Sequence, residues 1–181
     1  MEKKSSFKGY YLGGGNLVVS EARKKNMPQQ QYEIFVDMDG VLCDFPKRFN
    51  DFFNTRNTDD IPKWYREVSA IGEKYWSEME WMNDGQRLWS YIKKYNPSVL
   101  SSPIRHKSCD AGKRTWVKNN LKIFDKKRVN IEFDKSKFAS PNRILIDDTK
   151  KKIDGWIGKG GIGILHTSAN DTINKLKKLR I

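Results

Sequence analysis

Short apolar runs alternate along this chain with longer stretches that have helical spacing. The apolar runs predict five strands, at residues 32–38, 98–101, 129–133, 144–146 and 162–166. The stretches between the later runs predict helices, at residues 111–121, 150–157 and 170–179. This alternation is typical of a parallel sheet covered by helices. We therefore expect an α/β, Rossmann-like fold.

A different pattern fills residues 45–96, where apolar side chains recur every three or four residues and predict helices alone. We interpret this segment as a small helical insertion that follows the first strand. Residues 31–44 and 97–181 then form the core domain. Residues 1–30 contain three consecutive glycines and a basic run, and we expect a basic N-terminal arm there.

The chain of 181 residues has a formal net charge of +13, which favours anionic partners such as phosphorylated molecules or nucleic acid. The charge is concentrated in residues 101–181, with 20 basic and 8 acidic side chains, a net +12. No apolar run is long enough to span a membrane, and no secretory leader pattern is present, so a cytoplasmic protein without a membrane partner is expected. The oligomeric state is left open, a homodimer included.

Two cysteines and two histidines narrow the candidate chemistry. The cysteines, Cys43 and Cys109, form no CxxC pair and fit a reducing compartment. Two histidines cannot build a zinc site of several histidines and leave few bases for a serine triad. We therefore expect chemistry that depends on carboxylates.

Pairs of carboxylates follow two of the predicted strands. Asp37 and Asp39 end the first strand and precede Gly40, and Asp147 and Asp148 end the fourth. Parallel strands would bring both pairs to one edge of the sheet, where such folds bind ligands. Carboxylates so close together would repel one another, and a cation such as Mg²⁺ would neutralise their negative charge. The alternatives are an ordinary Asp-Gly turn and a helix N-cap at Asp148.

Hydroxyl groups and lysines complete the pattern. Ser101 and Ser102 end the second predicted strand, and Lys135 and Lys137 precede the fourth. The hydroxyls could bind an anion at the same edge, and a lysine could supply a fixed positive charge. Taken singly, such serines are more often ordinary turn residues, and such lysines more often belong to a solvent-exposed surface.

The ordered motifs DMDGV, LSSP, a lysine and LIDD resemble those of the haloacid dehalogenase (HAD) superfamily, most of whose members are Mg²⁺-dependent phosphatases. Within it, FVDMDGVLCDF, VLSSPI, DKSK and ILIDDT resemble the 5'(3')-deoxyribonucleotidases, which remove phosphate from nucleoside monophosphates. The resemblance covers residues 32–168. It implies a HAD fold with a small helical cap, here residues 45–96, over the active site.

Carried over to this chain, the resemblance implies that Asp37 is the nucleophile and forms an aspartyl-phosphate. Asp39 would be the general acid and base. Mg²⁺ would be held by Asp37, the main-chain carbonyl of Asp39 and Asp147, with Asp148 acting directly or through water.

The resemblance also implies a phosphate site. Ser101 and Ser102 would bind phosphoryl oxygens, and a lysine would neutralise their charge. We expect this lysine to be Lys137, because its spacing of ten residues before Asp147 fits the family better than that of Lys135. Lys135 remains the alternative.

Aromatic side chains of the insertion are candidates for the substrate pocket, because an aromatic ring can stack on any base. Phe45, Phe49 and Trp76 are assigned to this pocket. The alternative is that aromatics at helical spacing form the core of the cap.

The sequence thus predicts a Mg²⁺-dependent phosphatase acting on nucleoside monophosphates or another small phosphorylated substrate. One alternative is a 3'- or 5'-phosphatase acting on nucleic-acid ends, which the basic C-terminal part favours. Another is a non-catalytic nucleic-acid-binding protein on a HAD scaffold.

Overall fold

A computed structural model describes residues 32–53, 66, 68–104 and 106–181. The predicted N-terminal arm, residues 1–30, lies outside the described residues. The described chain forms a five-stranded sheet with the order β3-β2-β1-β4-β5. The strands are β1 (Glu33–Val36), β2 (Ser98–Ser101), β3 (Val129–Ile131), β4 (Arg143–Asp147) and β5 (Ile162–Leu165).

All neighbouring strands of this sheet pair in parallel. The central strand β1 aligns Val36 with Val99 of β2 on one side and with Ile146 of β4 on the other. Parallel strands buried on both faces carry continuous apolar runs rather than an alternating pattern, as in residues 34–36 of β1 and 144–146 of β4. The predicted α/β fold with a parallel sheet is confirmed.

Helices cover both faces of the sheet. In chain order they are α1 (Phe45–Phe53), α2 (Glu73–Ser77), α3 (Gly85–Ile92), α4 (Lys107–Leu121), α5 (Lys150–Gly158) and α6 (Ala169–Lys178). Short 3₁₀ helices occupy Lys93–Tyr95, Lys126–Arg128 and Lys135–Phe138. A side-chain cap marks the beginning of α6, where Ser168 accepts a hydrogen bond from the amide of Asp171.

Two apolar clusters sandwich the sheet, because successive residues of a strand point to opposite faces. In β1, Ile34 and Val36 join the larger cluster, whereas Phe35 joins the smaller one. The smaller cluster also contains Trp156 of α5, whose ring lies 5.6 Å from that of Phe35. Both faces of the central strand are thus buried, which fixes the position of the residues that follow it.

Helix α3 packs with the sheet layer, although the predicted insertion extended to residue 96. Leu88 and Ile92 belong to the larger cluster, and the Tyr91 hydroxyl donates to the main-chain oxygen of Ile181 at 2.6 Å. The apolar face of this helix also contacts α6. The assignment of residues 45–96 to an insertion remains a prediction.

Helices α2 and α4 pack closely at Gly112. A Cβ built on Gly112 would lie 2.5 Å from the main-chain oxygen of Glu73 and 2.6 Å from Cβ of Trp76. Close backbone approach of this kind requires glycine. It brings the buried face of α4 against the segment that follows the first strand.

In the part of the chain that the structure describes, no helix has both the length and the apolar character that a bilayer crossing requires.

Candidate active site

Polar side chains from three adjacent strands meet at the carboxyl edge of the sheet. Asp37 follows β1, Ser101 ends β2 and Asp147 ends β4. All three are buried. The main-chain amide of Asp37 donates to the carbonyl of Ile146 at 2.9 Å, which continues the pairing of β1 with β4 past the end of the strand. This edge is where open parallel sheets bind ligands.

A tight turn after β1 separates the two carboxylates of the first motif. The carbonyl of Met38 accepts from the amides of Leu42 and Cys43, at 2.8 and 2.9 Å. Gly40 has φ = +74°, a conformation that side chains disfavour. A Cβ at this position would also collide with the Asp148 carboxylate. The glycine therefore lets Asp148 approach the turn.

Lys135 joins the carboxylates of two strands. Its ammonium lies 2.7 Å from Oδ2 of Asp37 and 2.6 Å from Oδ2 of Asp147. The remaining oxygens also accept hydrogen bonds: Oδ1 of Asp37 from the Met38 amide at 2.7 Å, and Oδ1 of Asp147 from the Thr149 amide at 2.8 Å. Both carboxylates are therefore fixed in orientation.

The environment moves the pKa values of these two groups in opposite directions. Burial raises the pKa of Asp37, but the charges of Lys135, Lys152 and Lys113 outweigh it and hold the pKa below its ordinary value. Burial and the charge of Asp37 raise the pKa of Asp147 to about 6. The neighbouring lysines thus favour the ionised form of Asp37.

The structure corrects the choice between the two candidate lysines. The Lys137 side chain is 60% exposed, and its ammonium lies 3.4 Å from Glu132, whereas that of Lys135 is 1% exposed and contacts the site. Both residues belong to the 3₁₀ helix Lys135–Phe138. Successive residues of a 3₁₀ helix are about a third of a turn apart, so two lysines two positions apart point to different sides.

The carboxylates of Asp37, Asp147 and Asp148 fit a metal ion. Each offers an oxygen, and these oxygens lie within 4.8 Å of one another. Burial, and after it the charge of Asp37, raise the pKa of Asp148 above its ordinary value. A hard divalent cation such as Mg²⁺ prefers oxygen ligands of this type. Asp148 does not cap α5, whose N-cap is Thr149.

The Asp39 side chain has different partners from the other carboxylates. Its Oδ2 accepts from the Lys113 ammonium at 2.6 Å, and its Oδ1 accepts from the Cys43 thiol at 3.6 Å. The turn at Gly40 has thus separated two carboxylates that follow the same strand. Asp39 is partly exposed, whereas Asp37 is buried.

Lys113 is a residue of the site that the sequence analysis missed. It lies on α4, and its buried ammonium also donates to Oγ of Ser101 at 2.9 Å and to the main-chain oxygen of Ser102 at 2.7 Å. Its position was a usable signal, because Lys113 shares one helix face with the apolar residues Cys109 and Trp116. A lysine on an apolar face is almost never buried without a partner.

The two serines lie where an anion could bind. Ser101 is buried, and its oxygen accepts from Lys113. The Ser102 hydroxyl oxygen is buried and has no hydrogen-bond partner among the described residues. Buried hydroxyls are normally hydrogen-bonded, so the Ser102 hydroxyl could donate to a bound anion.

The three aromatic residues assigned to the substrate pocket have different surroundings. Trp76 is 1% exposed and belongs to the larger apolar cluster, so its ring is not available to stack on a base. Its assignment is corrected: the ring stacks on Phe45, with centroids 5.9 Å apart and planes 5° apart. Phe45 and Phe49 are half-buried, with centroids 6.3 Å apart.

Comparison with solved structures identifies the fold. A haloacid dehalogenase-like family hydrolase from Streptococcus pneumoniae aligns with 82% of this chain and 92% of its own, with a TM-score of 0.52 and 16% identity. A HAD-superfamily hydrolase from Ehrlichia chaffeensis aligns with 86% of this chain and 100% of its own, with a TM-score of 0.48 and 14% identity. No protein-family model and no curated protein matches the sequence. On the alignment with the Streptococcus pneumoniae protein, the chain has the α/β fold of haloacid dehalogenase-like hydrolases.

Proposed function

We propose that this protein is a Mg²⁺-dependent phosphatase that hydrolyses nucleoside monophosphates through an aspartyl-phosphate on Asp37. The observation that supports this most directly is the pairing of two differently held carboxylates at one sheet edge. Asp37 is buried and kept ionised by lysines, while Asp39 is partly exposed and bound to Lys113. A nucleophile and a separate proton donor need these different surroundings.

In the first step, a carboxylate oxygen of Asp37 attacks phosphorus. The new oxygen–phosphorus bond forms as the bond between phosphorus and the leaving oxygen breaks. Protonated Asp39 donates its proton to that leaving oxygen, so the nucleoside departs as an alcohol. Proton donation matters because an alkoxide is a poor leaving group.

In the second step, the Asp39 carboxylate takes a proton from water. The water oxygen attacks phosphorus and displaces the Asp37 carboxylate, which releases inorganic phosphate. Asp39 ends protonated and Asp37 ionised, as at the start. Each group thus serves twice, and no further reactant is needed.

Hydroxyls and ammonium groups would bind the phosphoryl oxygens. The Ser101 oxygen accepts from Lys113, so its O–H can donate to another acceptor, and the buried Ser102 hydroxyl has no partner among the described residues. Lys135 and Lys152 bring positive charge within 2.7 and 3.9 Å of Asp37. Donors fixed before the reaction stabilise charge that develops on the phosphoryl group.

The oxygen ligands of Asp37, Asp147 and Asp148 would hold Mg²⁺, with the main-chain carbonyl of Asp39 as a further ligand. When bound, the ion would neutralise charge on the nucleophile and the phosphoryl group.

The assignment to nucleoside monophosphates rests on the resemblance of FVDMDGVLCDF and ILIDDT to the nucleotidases. The half-buried rings of Phe45 and Phe49, in the helix that follows the first motif, are consistent with a pocket for a base. We place the reaction in the cytoplasm, because Cys43 and Cys109 are buried free thiols that fit a reducing compartment.

Phosphorylated nucleic-acid ends are the second candidate substrate. Residues 101–181 carry a net charge of +12, and the last turn of α6 contains Lys175, Lys177 and Lys178. Clustered lysines of this kind attract a polyanion. A protein that only binds nucleic acid on this scaffold is the third candidate.

The experiment is a phosphate-release assay with Mg²⁺ on 5'- and 3'-nucleoside monophosphates, in deoxyribose and ribose forms, beside 5'- and 3'-phosphorylated oligonucleotides. Asp37→Asn is the test variant, and it keeps the size of the side chain. Lys137→Met is the matched control, because Lys137 is exposed beside the site. Salt concentration is varied for each active substrate.

We expect turnover of monophosphates with weak salt dependence, loss of turnover in Asp37→Asn, and unchanged turnover in Lys137→Met. Turnover of oligonucleotides alone, falling steeply with salt, would instead assign the function to nucleic-acid ends. Full activity of Asp37→Asn would contradict the covalent mechanism. Oligonucleotide binding by a folded protein that releases no phosphate would favour the non-catalytic alternative.

A further inference from the structure

Lys113 contacts the general acid and the phosphate site at once. Its ammonium has three hydrogens, and its three acceptors are Oδ2 of Asp39, Oγ of Ser101 and the main-chain oxygen of Ser102. The distances are 2.6, 2.9 and 2.7 Å. The donor capacity of an ammonium is thereby filled.

The position of this ammonium is fixed by packing rather than by contact with solvent. The Lys113 side chain is 1% exposed, and its ammonium lies 5.6 Å from the centre of the Trp76 ring. Burial lowers the pKa of Lys113, but the charges of Asp39 and Asp37 outweigh it, so the group stays charged. Neighbouring Gly112 lets α4 approach Trp76 closely, which holds the lysine in place.

Cys43 holds the other oxygen of Asp39. Its thiol donates to Oδ1 at 3.6 Å, and burial together with the charge of Asp39 raises the pKa of the thiol well above its usual range. With Lys113 on Oδ2, each oxygen of the Asp39 carboxylate has its own donor. These contacts belong to the ionised form, which takes a proton from water; in the protonated form, Oδ1 would carry the proton while Lys113 keeps its contact with Oδ2.

We propose that Lys113, assisted by the Cys43 thiol, is the positioning residue for Asp39: it holds this carboxyl beside the phosphate site, at the place from which the leaving oxygen is protonated. The inference rests on the proposed phosphatase function and deepens it. Lys113 acts through Asp39 and not on phosphorus. The link to Ser101 also ties the position of the acid to the residue that binds the phosphoryl group.

This role makes the effect of Lys113 depend on the leaving group. A nucleoside leaves as an alkoxide that needs a proton, whereas p-nitrophenol leaves readily as its anion. General acid catalysis raises the rate by about 10²- to 10⁴-fold, and it does so for the nucleoside leaving group but not for p-nitrophenol. A misplaced Asp39 should therefore slow nucleoside monophosphates and spare p-nitrophenyl phosphate.

The test compares kcat and KM of both substrates for the wild type, Lys113→Met, Asp39→Asn and the double variant. We expect Lys113→Met to lower kcat on a nucleoside monophosphate by about 10²-fold, with a several-fold smaller loss on p-nitrophenyl phosphate and little change in KM. Asp39→Asn should likewise lose more kcat on the nucleoside monophosphate than on p-nitrophenyl phosphate. The double variant should be no slower than Asp39→Asn, because both changes remove one function.

Lys118→Met is the matched control, since Lys118 is exposed on the same helix and the substitution is identical. It should behave as the wild type on both substrates. A second pair of variants tests the other oxygen of Asp39. Cys43→Ser keeps a donor, and Cys43→Ala removes it, so only Cys43→Ala should lose activity selectively on the nucleoside substrate, by a few-fold.

Three results would overturn the inference. If Lys113→Met lost kcat equally on both substrates and raised KM, Lys113 would be a phosphate ligand and not a positioning residue. If Lys113→Met does not fold, the two Cys43 variants decide. The positioning of Asp39 would be refuted if Cys43→Ala and Cys43→Ser had the same ratio of activity on the nucleoside monophosphate to activity on p-nitrophenyl phosphate. A wild type inactive on both substrates would reject the proposed function itself, and this inference with it.

Discussion

Replacing Lys135 by methionine is expected to destabilise the fold by about 3–5 kcal/mol, the range found when one partner of a buried ion pair is removed. The Lys135 ammonium lies 2.7 and 2.6 Å from Asp37 and Asp147. Methionine fills the same space without charge, so two buried carboxylates lose their shared cation. For a chain of this size, about 2–4 °C of melting temperature corresponds to each kcal/mol, so the midpoint should fall by roughly 6–20 °C.

The matched control is Lys137→Met, two residues away in the same 3₁₀ helix. The Lys137 side chain is 60% exposed and its pair with Glu132 is 3.4 Å long. Exposed pairs of this kind contribute about 0–1 kcal/mol, so the midpoint should move by at most a few degrees. The comparison thus separates burial of a lysine from its mere presence in the segment.

The assay is thermal unfolding in EDTA and again with Mg²⁺ at saturating concentration. Mg²⁺ at 100 times its dissociation constant stabilises a protein that binds it by about 2.7 kcal/mol. We expect Lys135→Met to regain at least as much stability from Mg²⁺ as the wild type, because the ion neutralises the same carboxylates. The reasoning would be refuted if Lys135→Met and Lys137→Met unfolded at the same temperature in EDTA.

Two further predictions concern the turn and the thiols. Gly40→Ala should lose about 1–2 kcal/mol from its left-handed conformation and should also bind Mg²⁺ more weakly, because its Cβ would collide with Asp148. Gly160→Ala is the control: φ there is +87° with nothing within 4 Å of the added Cβ, so stability should fall while Mg²⁺ binding stays unchanged, as titration of both variants will check. Burial raises the pKa values of Cys43 and Cys109. Both thiols should therefore resist alkylation at neutral pH until the protein unfolds, and rapid labelling of the native protein would contradict their burial.

The fold and the carboxylates were predictable because they depend on local patterns. Apolar runs bounded by turn residues define strands, and parallel pairing brings the ends of those strands to one edge whatever the details of packing. Asp37 and Asp147 followed from this rule, and both lie buried at that edge.

The helix at Gly85–Ile92 shows what local sequence patterns do not predict. Its helical spacing was predicted, but its place in the molecule was not. An amphipathic helix shows which face it buries and not which element covers that face. Here the cover is α6, some 80 residues further along the chain.

Tertiary structure also decided which positive charges serve the site. The spacing in the sequence favoured Lys137, but the geometry of the 3₁₀ helix turns Lys135 inward and Lys137 to solvent. Lys113 reaches Asp39 across 74 positions of the chain, through the close packing of α4 at Gly112. Trp76 is buried by the same packing. The sequence by itself determined the strands and the acidic edge of the sheet, because both depend on neighbours along the chain. The partners of the acidic side chains come from distant segments of the chain, and only the folded structure specifies which segments meet.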